Sequence, residues 1–353
     1  MFSVEMLQAN EGDCLLLHYG DPAQPKHSVI DAGRKATWPA LKARLDAIVA
    51  RGEELELLVV THIDRDHIEG ALELVTDPVA KRFRDIWFNG FHHLKYTPLE
   101  GFGGVQGERL TEALIRLKLP WNKHRQWASG PVAVATPDSP VTVTLDGGLR
   151  LTLLSPNRAQ LLALRDEWME ACRDAGIVAG AAEQARREAA GLERFGAVNV
   201  DALADAVFKE DGAKPNGSSI ALLAEYDGKR ILLGADAHPT QLIAALEALG
   251  GPQPLDAFKL PHHGSRANLS RALLEKVKCP TYLVSTSGSY FRHPDREAIA
   301  RVVKYGGARP HLVFNYQSDQ NGIWNSAPLR DQWGYSARYP AAGADSVSVE
   351  LCA

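Results

Sequence analysis

Short apolar runs, broken by turn residues, dominate the first third of the chain. Ser3–Leu7, Cys14–Tyr19 and Ser28–Ile30 read as strands, separated by Gly12-Asp13 and by the Pro/Gly-rich stretch 20–25. The spacing then changes. Trp38, Leu41, Leu45, Ile48 and Val49 fall on one face of a helix, Leu55–Val60 is a buried-strand run, and 67–74 predicts the helix that follows it. Ile86–Phe88 predicts a further strand. Between 91 and 130 the pattern is mixed, with Gly101, Gly103 and Gly104 marking a mobile loop.

Strand character returns at Val141–Val143 and Leu149–Leu154. From Asn157 to about Ala213 the chain turns charged and Ala-rich, with Leu161, Leu164, Trp168 and Cys172 at helical spacing. This reads as a helical insertion, 157–215, between two β-rich halves. Ser219–Tyr226 and Arg230–Leu233 flank an Asp227-Gly228 hairpin turn. The tail alternates helices (240–249, 268–277, 296–304) with strands (281–285, 311–315, 346–351). No repeat or low-complexity tract interrupts it, so one domain over 1–353 is expected.

Composition narrows the class. Of 353 residues, 45% are hydrophobic and 23% charged, as in a globular protein. The net charge of −4 supplies no global basic field, so a nucleic-acid substrate would need a local basic patch. No apolar run is long enough to span a membrane, and no membrane partner is expected. The N-terminus lacks a basic segment followed by an apolar core and reads as a first strand rather than a signal peptide. Four scattered cysteines without a CxxC pair argue against a disulfide framework and for a reducing cytoplasm.

The chemistry concentrates at the ends of predicted strands. Thr61-His62-Ile63-Asp64-Arg65-Asp66-His67 places two histidines and two aspartates directly after an apolar run. Such acids repel one another unless a cation sits among them. Further along, Asp236 ends Leu232-Leu233-Gly234-Ala235, a His pair sits in Pro261-His262-His263-Gly264-Ser265, and a Ser/Gly loop, 285–294, closes on His293. Ile30-Asp31-Ala32-Gly33 ends an early strand with another acid. If these turns share one rim, about six nitrogen and oxygen ligands suffice for two cations bridged by a carboxylate. A hydroxide held between two divalent cations is a nucleophile at neutral pH, which suits phosphodiester hydrolysis. Simpler roles compete: Asp236 as a helix cap, His293-Pro294 as a helix start, His238 as a surface residue, and His92-His93 as a solvent-facing pair.

These pieces, in this order, resemble the metallo-β-lactamase superfamily. Within it, HxDxDH, the NGSSIALL…GAD segment, PHHGS and the SxGxxxxHP loop resemble the hydrolase domain of ComEC-type DNA-uptake competence proteins and their soluble relatives. The resemblance implies an αββα four-layer sandwich carrying the helical insertion. It implies metal ligation by His62, Asp64, Asp66, His67, Asp236 (bridging) and His263, with Asp31 bracing the site. Asp66, His262 and His293 become catalytic candidates: Asp66 to orient the nucleophile, the two histidines to protonate the leaving group or clamp a phosphate. Ser265 supports by donating to phosphate oxygens. The choice between His262 and His263 as ligand stays open. Two departures stand out. Asp64 replaces the usual second histidine, which hardens the site and brings Mn²⁺ into competition with Zn²⁺. Ser155-Pro156-Asn157 stands where another ligand histidine is usual.

The expected activity is therefore metal-dependent phosphodiester hydrolysis, on nucleic acid or a nucleotide-derived molecule. A hydrolase of a lactone, thioester, β-lactam or peptide on the same scaffold is the first alternative. A non-catalytic, metal-containing module, partnered through 157–215, is the second.

Overall fold

The computed structural model describes residues 1–94, 105–174 and 198–352. The loop around Gly101–Gly104 and residues 175–197 of the expected insertion lie outside them.

In the first half, β1 (Phe2–Leu7), β2 (Leu15–Asp21) and β3 (Gln24–Ile30) lead to α1 (Trp38–Ala50). β4 (Glu54–Val59), α2 (Arg65–Thr76), β5 (Phe83–Trp87) and α3 (Val105–Arg116) follow. The middle holds β6 (Val141–Thr144), β7 (Arg150–Ser155), α4 (Arg158–Asp174), α5 (Val200–Ala204) and α6 (Lys214–Gly217). Next come β8 (Ala221–Tyr226), β9 (Lys229–Leu233), α7 (Pro239–Ala248), β10 (Gln253–Pro254), β11 (Ala257–Lys259), α8 (Arg271–Leu274) and β12 (Val277–Lys278). The chain closes with β13 (Thr281–Val284), α9 (Arg296–Tyr305), β14 (His311–Phe314), α10 (Ala327–Trp333), β15 (Ser336–Arg338) and β16 (Ser346–Cys352).

One mixed sheet runs β16-β1-β2-β3-β4-β5, and a second runs β15-β14-β13-β11-β9-β8-β7-β6; β10 and β12 pair apart from both. In the first, β3, β4 and β5 are parallel; in the second, all neighbours from β9 to β15 are. The sheets pack face to face: Leu15, Leu17 and Tyr19 of β2 share a core with Leu222, Ile231 and Leu283 of the second sheet. Leu16, between them in sequence, turns the other way, into a core with Leu41 of α1 and Leu74 of α2. Leu232 and Phe258 likewise face Leu246 of α7 and Ile299 of α9. Both faces of each sheet are thus covered, which is why these strands read as unbroken apolar runs rather than alternations. The result is an αββα four-layer sandwich.

Two local findings differ from the periodicity. The stretch 268–277 is only the single turn α8, because Ser270 caps Leu273 N at 3.0 Å and Val277–Lys278 leaves to pair with β10. The expected insertion contributes α4, whose Leu161, Leu164 and Trp168 pack against Phe91 and Leu94. No described helix is long and apolar enough to cross a membrane.

The topology also decides where chemistry can occur. Parallel strands end on the same edge, so the turns after β3, β4, β9, β11 and β13 gather at one rim.

Candidate metal centre

Asp31 begins the site. It lies just past β3, fully buried, and accepts three hydrogen bonds: from Thr61 N and Thr61 Oγ1, both at 2.7 Å, and from His67 Nδ1 at 2.7 Å. Since the Thr61 hydroxyl proton goes to Asp31, its oxygen accepts from His62 Nδ1 at 2.9 Å. The third imidazole, His263, donates Nδ1–H to the Ser285 carbonyl at 2.9 Å. These outward bonds fix the tautomers by their partners. All three Nε2 atoms are left with lone pairs directed inward.

Those lone pairs meet each other and a set of carboxylates. His67 Nε2 and His263 Nε2 are 3.2 Å apart. His67 Nε2 is 3.5 Å from Asp236 Oδ1, and His263 Nε2 is 3.3 Å from Asp66 Oδ2. His62 Nε2 lies 3.8 Å from Asp236 Oδ2 and 3.6 Å from Asp64 Oδ2. His62 Nε2 and Asp236 Oδ1 are buried with no hydrogen-bond partner at all. A buried polar atom left unpaired costs about 1–3 kcal/mol, so several converging acceptors without donors make a poor apoprotein. They make a good cation site, and the residue types fit zinc or a harder divalent ion. Two groups of ligand atoms are close enough to share an ion: His62, His67 and Asp236, and Asp13, His67 and His263.

The charges point the same way. Burial alone would lower the His67 pKa, yet Asp236, Asp31 and Asp66 raise it well above the ordinary histidine value. Burial likewise opposes protonation of His263, but Asp236 and Asp13 push it up to about 10. Burial would lift the carboxyls of Asp66 and Asp236, and the imidazoles beside them hold both below the usual range. Without a cation this pocket collects protons instead.

His262 stands beside the cluster. Its Nδ1 donates to Asn268 Oδ1 at 2.9 Å, and its Nε2 is 3.7 Å from Asp236 Oδ2, nearly the distance of His263 Nε2 at 3.8 Å. The turn therefore presents both histidines to the same acid. This requires φ of +47° and +55° at His262 and His263, a left-handed conformation that non-glycine residues avoid. Asp31 and Ala235 sit in the same region, at +57° and +45°.

Asp64 lies on the open side, with its side chain 40% exposed. His293 does not reach the carboxylates of the cluster; its ring centroid is 5.3 Å from that of His262, and burial lowers its pKa. Ser265 Oγ accepts from Ala267 N at 3.2 Å, within its own turn. Ser155 Oγ donates to Ser219 O at 2.7 Å and Asn157 Nδ2 to Gln241 Oε1 at 2.7 Å, so the end of β7 is structural. His238, not Asp236, is the N-cap of α7, and its Nε2 donates to Ala213 O at 2.9 Å. His93 packs on Trp121 and donates to Ser129 O at 3.2 Å, while the His92 side chain lies outside the described residues.

Two acids outside the strand-end motifs also bear on the cluster. Asp13, buried before β2, receives Lys259 Nζ at 2.6 Å and puts Oδ1 3.4 Å from His263 Nδ1. Asp211 accepts from Asn216 at 2.6 Å and from Asn268 at 3.2 Å, steadying the residues around His262 Nδ1. A Gly-Asp turn and an acid ahead of the NGSS segment are the only traces they leave in the chain.

No protein-family profile matches the chain, and no curated protein is detectably similar to it in sequence. Among solved structures it is similar to the metallo-beta-lactamase fold protein YhfI from Bacillus subtilis. The identity is 9% and the TM-score 0.37, over 99% of this chain and 100% of that one. The fold assignment rests on the layer order and sheet topology described above.

Proposed function

We propose that the protein is a metal-dependent hydrolase that cleaves a phosphodiester using two divalent cations, Zn²⁺ or Mn²⁺. The observation that carries this reading is the convergence of His62, His67 and His263 Nε2 on Asp236 and Asp66, with the His62 and Asp236 atoms unpaired. His62, His67, His263, Asp236 and Asp66 would hold the ions, with Asp64 adding an oxygen from the open side. When bound, the cations supply Lewis acidity that lowers the pKa of a water and screens phosphate charge.

The chain's own residues do the rest. Asp31 and the Ser285 carbonyl hold His67 and His263 in the ligating tautomer. Asp66 orients the attacking water. His262, its Nδ1–H fixed by Asn268 and its pKa raised against burial by Asp236 and Asp211, carries the proton for the leaving oxygen. His293 packs behind it and keeps its ring in place. The HxDxDH, GAD and HHGS pieces favour the ComEC-like branch, and with it a nucleic-acid or nucleotide substrate.

Hydrolysis of bis-p-nitrophenyl phosphate with Mn²⁺ or Zn²⁺, compared between wild type, Asp66→Ala and Asp236→Asn, tests this directly. Both variants should lose at least about a hundredfold in kcat/KM. Equal turnover in all three proteins would refute the assignment. Turnover of nitrocefin or a lactone in place of the phosphodiester would move it to another hydrolase class.

A further inference from the structure

The three imidazoles of the cluster are braced unequally. His67 Nδ1 meets the Asp31 carboxylate at 2.7 Å and His62 Nδ1 the Thr61 hydroxyl at 2.9 Å, whereas His263 Nδ1 donates to a neutral carbonyl, that of Ser285, at 2.9 Å. A second acceptor lies beside it. Asp13 Oδ1 is 3.4 Å from the same Nδ1, and among the described residues nothing donates a hydrogen bond to it. Asp13 is 2% exposed, and its other oxygen takes Lys259 Nζ at 2.6 Å. That ammonium, equally buried, also reaches Leu260 O at 3.1 Å. Stability does not account for the arrangement. A buried ion pair can often be exchanged for apolar side chains without loss, and a buried carboxylate oxygen without a donor is a cost. Position does account for it, because Gly12-Asp13 is wedged between the ligand turns of both sheets. A Cβ on Gly12 would lie 1.7 Å from the Asp66 carbonyl oxygen, and Gly12 O accepts from Ser285 Oγ at 3.0 Å.

We propose that Asp13 is a positioning residue for His263: its carboxylate, pinned by Lys259, orients Nδ1–H and makes Nε2 a stronger donor to a cation. The proposal rests on the metal-centre reading above. Although Asp13, His67 and His263 are close enough to share an ion, Asp13 approaches His263 at Nδ1, while Nε2 turns to His67, Asp66 and Asp236. The carboxylate therefore stands behind the ligand and not among the ligands. An imidazole that gives electron density to a cation leaves its Nδ1–H more positive, and an anion placed there returns density through the ring. Lys259, at the end of β11 just before the His262-His263 turn, balances the charge of Asp13 and fixes which oxygen faces the ring. Asp31 serves His67 from within the first sheet. Through Asp13, the same sheet braces a ligand that follows a strand of the second.

The test is the Zn²⁺ affinity of the full-length protein, read by competition with a chromophoric chelator, in wild type, Asp13→Asn and Asp13→Leu/Lys259→Met. Both variants should bind Zn²⁺ about 10- to 100-fold more weakly. The Tm of each chelated protein is the control. The double variant removes both charges together, so its Tm should stay near that of wild type while the affinity falls; a purely structural pair would move the two together. With isotope-labelled histidines in zinc-loaded protein, the His263 Nδ1–H resonance should move upfield in Asp13→Asn, and those of His62 and His67 should stay in place. Wild-type affinity in either folded variant, a loss that only tracks Tm, or equal displacement of all three histidine resonances overturns the proposal. If the double variant does not fold, Asp13→Asn decides, since it keeps the size of the side chain and an oxygen for Lys259. A wild type that binds neither Zn²⁺ nor Mn²⁺ sinks the metal-centre reading and this proposal with it, whereas tight binding in wild type and unchanged affinity in the variants sinks the positioning role alone.

Discussion

Asp31→Asn changes one atom and should disturb two metal ligands. The native carboxylate accepts from Thr61 N through Oδ1, and from Thr61 Oγ1 and His67 Nδ1 through Oδ2, all at 2.7 Å. An asparagine keeps the first bond with its carbonyl, but its NH₂ then faces the other two partners as a donor. His67 Nδ1 must give up its proton, which moves to Nε2, the atom facing Asp236. The Thr61 hydroxyl, now receiving from the amide, turns its own proton toward His62 Nδ1 at 2.9 Å, and His62 protonates at Nε2 as well. One substitution therefore caps two inward lone pairs. The backbone is not the cause, because φ at this position is +57° and asparagine is among the residues best tolerated there.

Loss of a partner that orients a ligand costs about 10- to 100-fold in metal affinity. With two histidines affected, zinc or manganese should bind at least about a hundredfold more weakly, roughly 2.7 kcal/mol. Competition against a chromophoric chelator reads this directly, with circular dichroism to check the fold. Unchanged affinity in a folded Asp31→Asn protein would refute the tautomer argument. Thr61→Val separates the two arms, since it removes the relay to His62 and leaves the His67 bond in place; its loss should be smaller than that of Asp31→Asn.

Other outcomes follow from the same geometry. The folded pKa values of His67 and His263 lie above the unfolded value, the latter at about 10. Their contribution to the stability of metal-free protein is present in full below about pH 6.5 and disappears as pH rises toward 10, so Tm of chelated protein should fall across that window. Metal binding displaces those protons, so affinity should rise about tenfold per pH unit for each proton released; a flat titration between about pH 6 and 8 would contradict the shifts. Lys259→Met leaves Asp13 buried without its cation and should cost about 3–5 kcal/mol in urea unfolding, whereas Lys259→Met/Asp13→Leu should recover most of it; additive losses would show the pair is not coupled. At Gly70, an added Cβ would lie 2.0 Å from the Ala32 carbonyl, so Gly70→Ala should push α2 off the turn after β3 and cost about 1–3 kcal/mol, with metal affinity lost in parallel.

Some of this was legible in the chain, and some could not have been. Strand ends followed by acids and histidines are local patterns, and parallel topology carries them to one rim regardless of the sequence between. His62, Asp66 and His67 are legible for a further reason: they straddle the first turn of α2, so the spacing itself brings them to one side. Asp13 is different. Its meaning comes from Lys259, 246 positions away, and nothing near Asp13 encodes that partner. Asp211 depends in the same way on Asn268 and His262. The apolar spacing over 268–277 suits a helix, but the pairing of Val277–Lys278 with β10 and the use of the Asn268 side chain by Asp211 and the Asp236 carbonyl prevail over it. His293 stands out in the sequence as the close of the Ser/Gly loop, and only tertiary packing shows that its ring lies against that of His262.

The strain at the rim connects the fold to the chemistry. Asp31, Ala235, His262 and His263 all occupy left-handed backbone, at about 1–3 kcal/mol each, and they belong to turns from both sheets. Main-chain bonds cross between these turns: Asp31 N donates to Val59 O and His262 N to Ala235 O, both at 2.8 Å. Gly12 closes the gap on the other side, where an added Cβ would lie 1.7 Å from the Asp66 carbonyl. Neither sheet alone holds the ligand set, since His62 and His67 follow β4 while Asp236 and His263 follow β9 and β11. A cation that ties them together would offset strain that the apoprotein bears unrelieved. Metal should therefore raise Tm by more than the same ion does in a variant lacking only a second-sheet ligand, such as His263→Ala, and an equal rise in both would mean that the two sheets are held at the rim without help from the site.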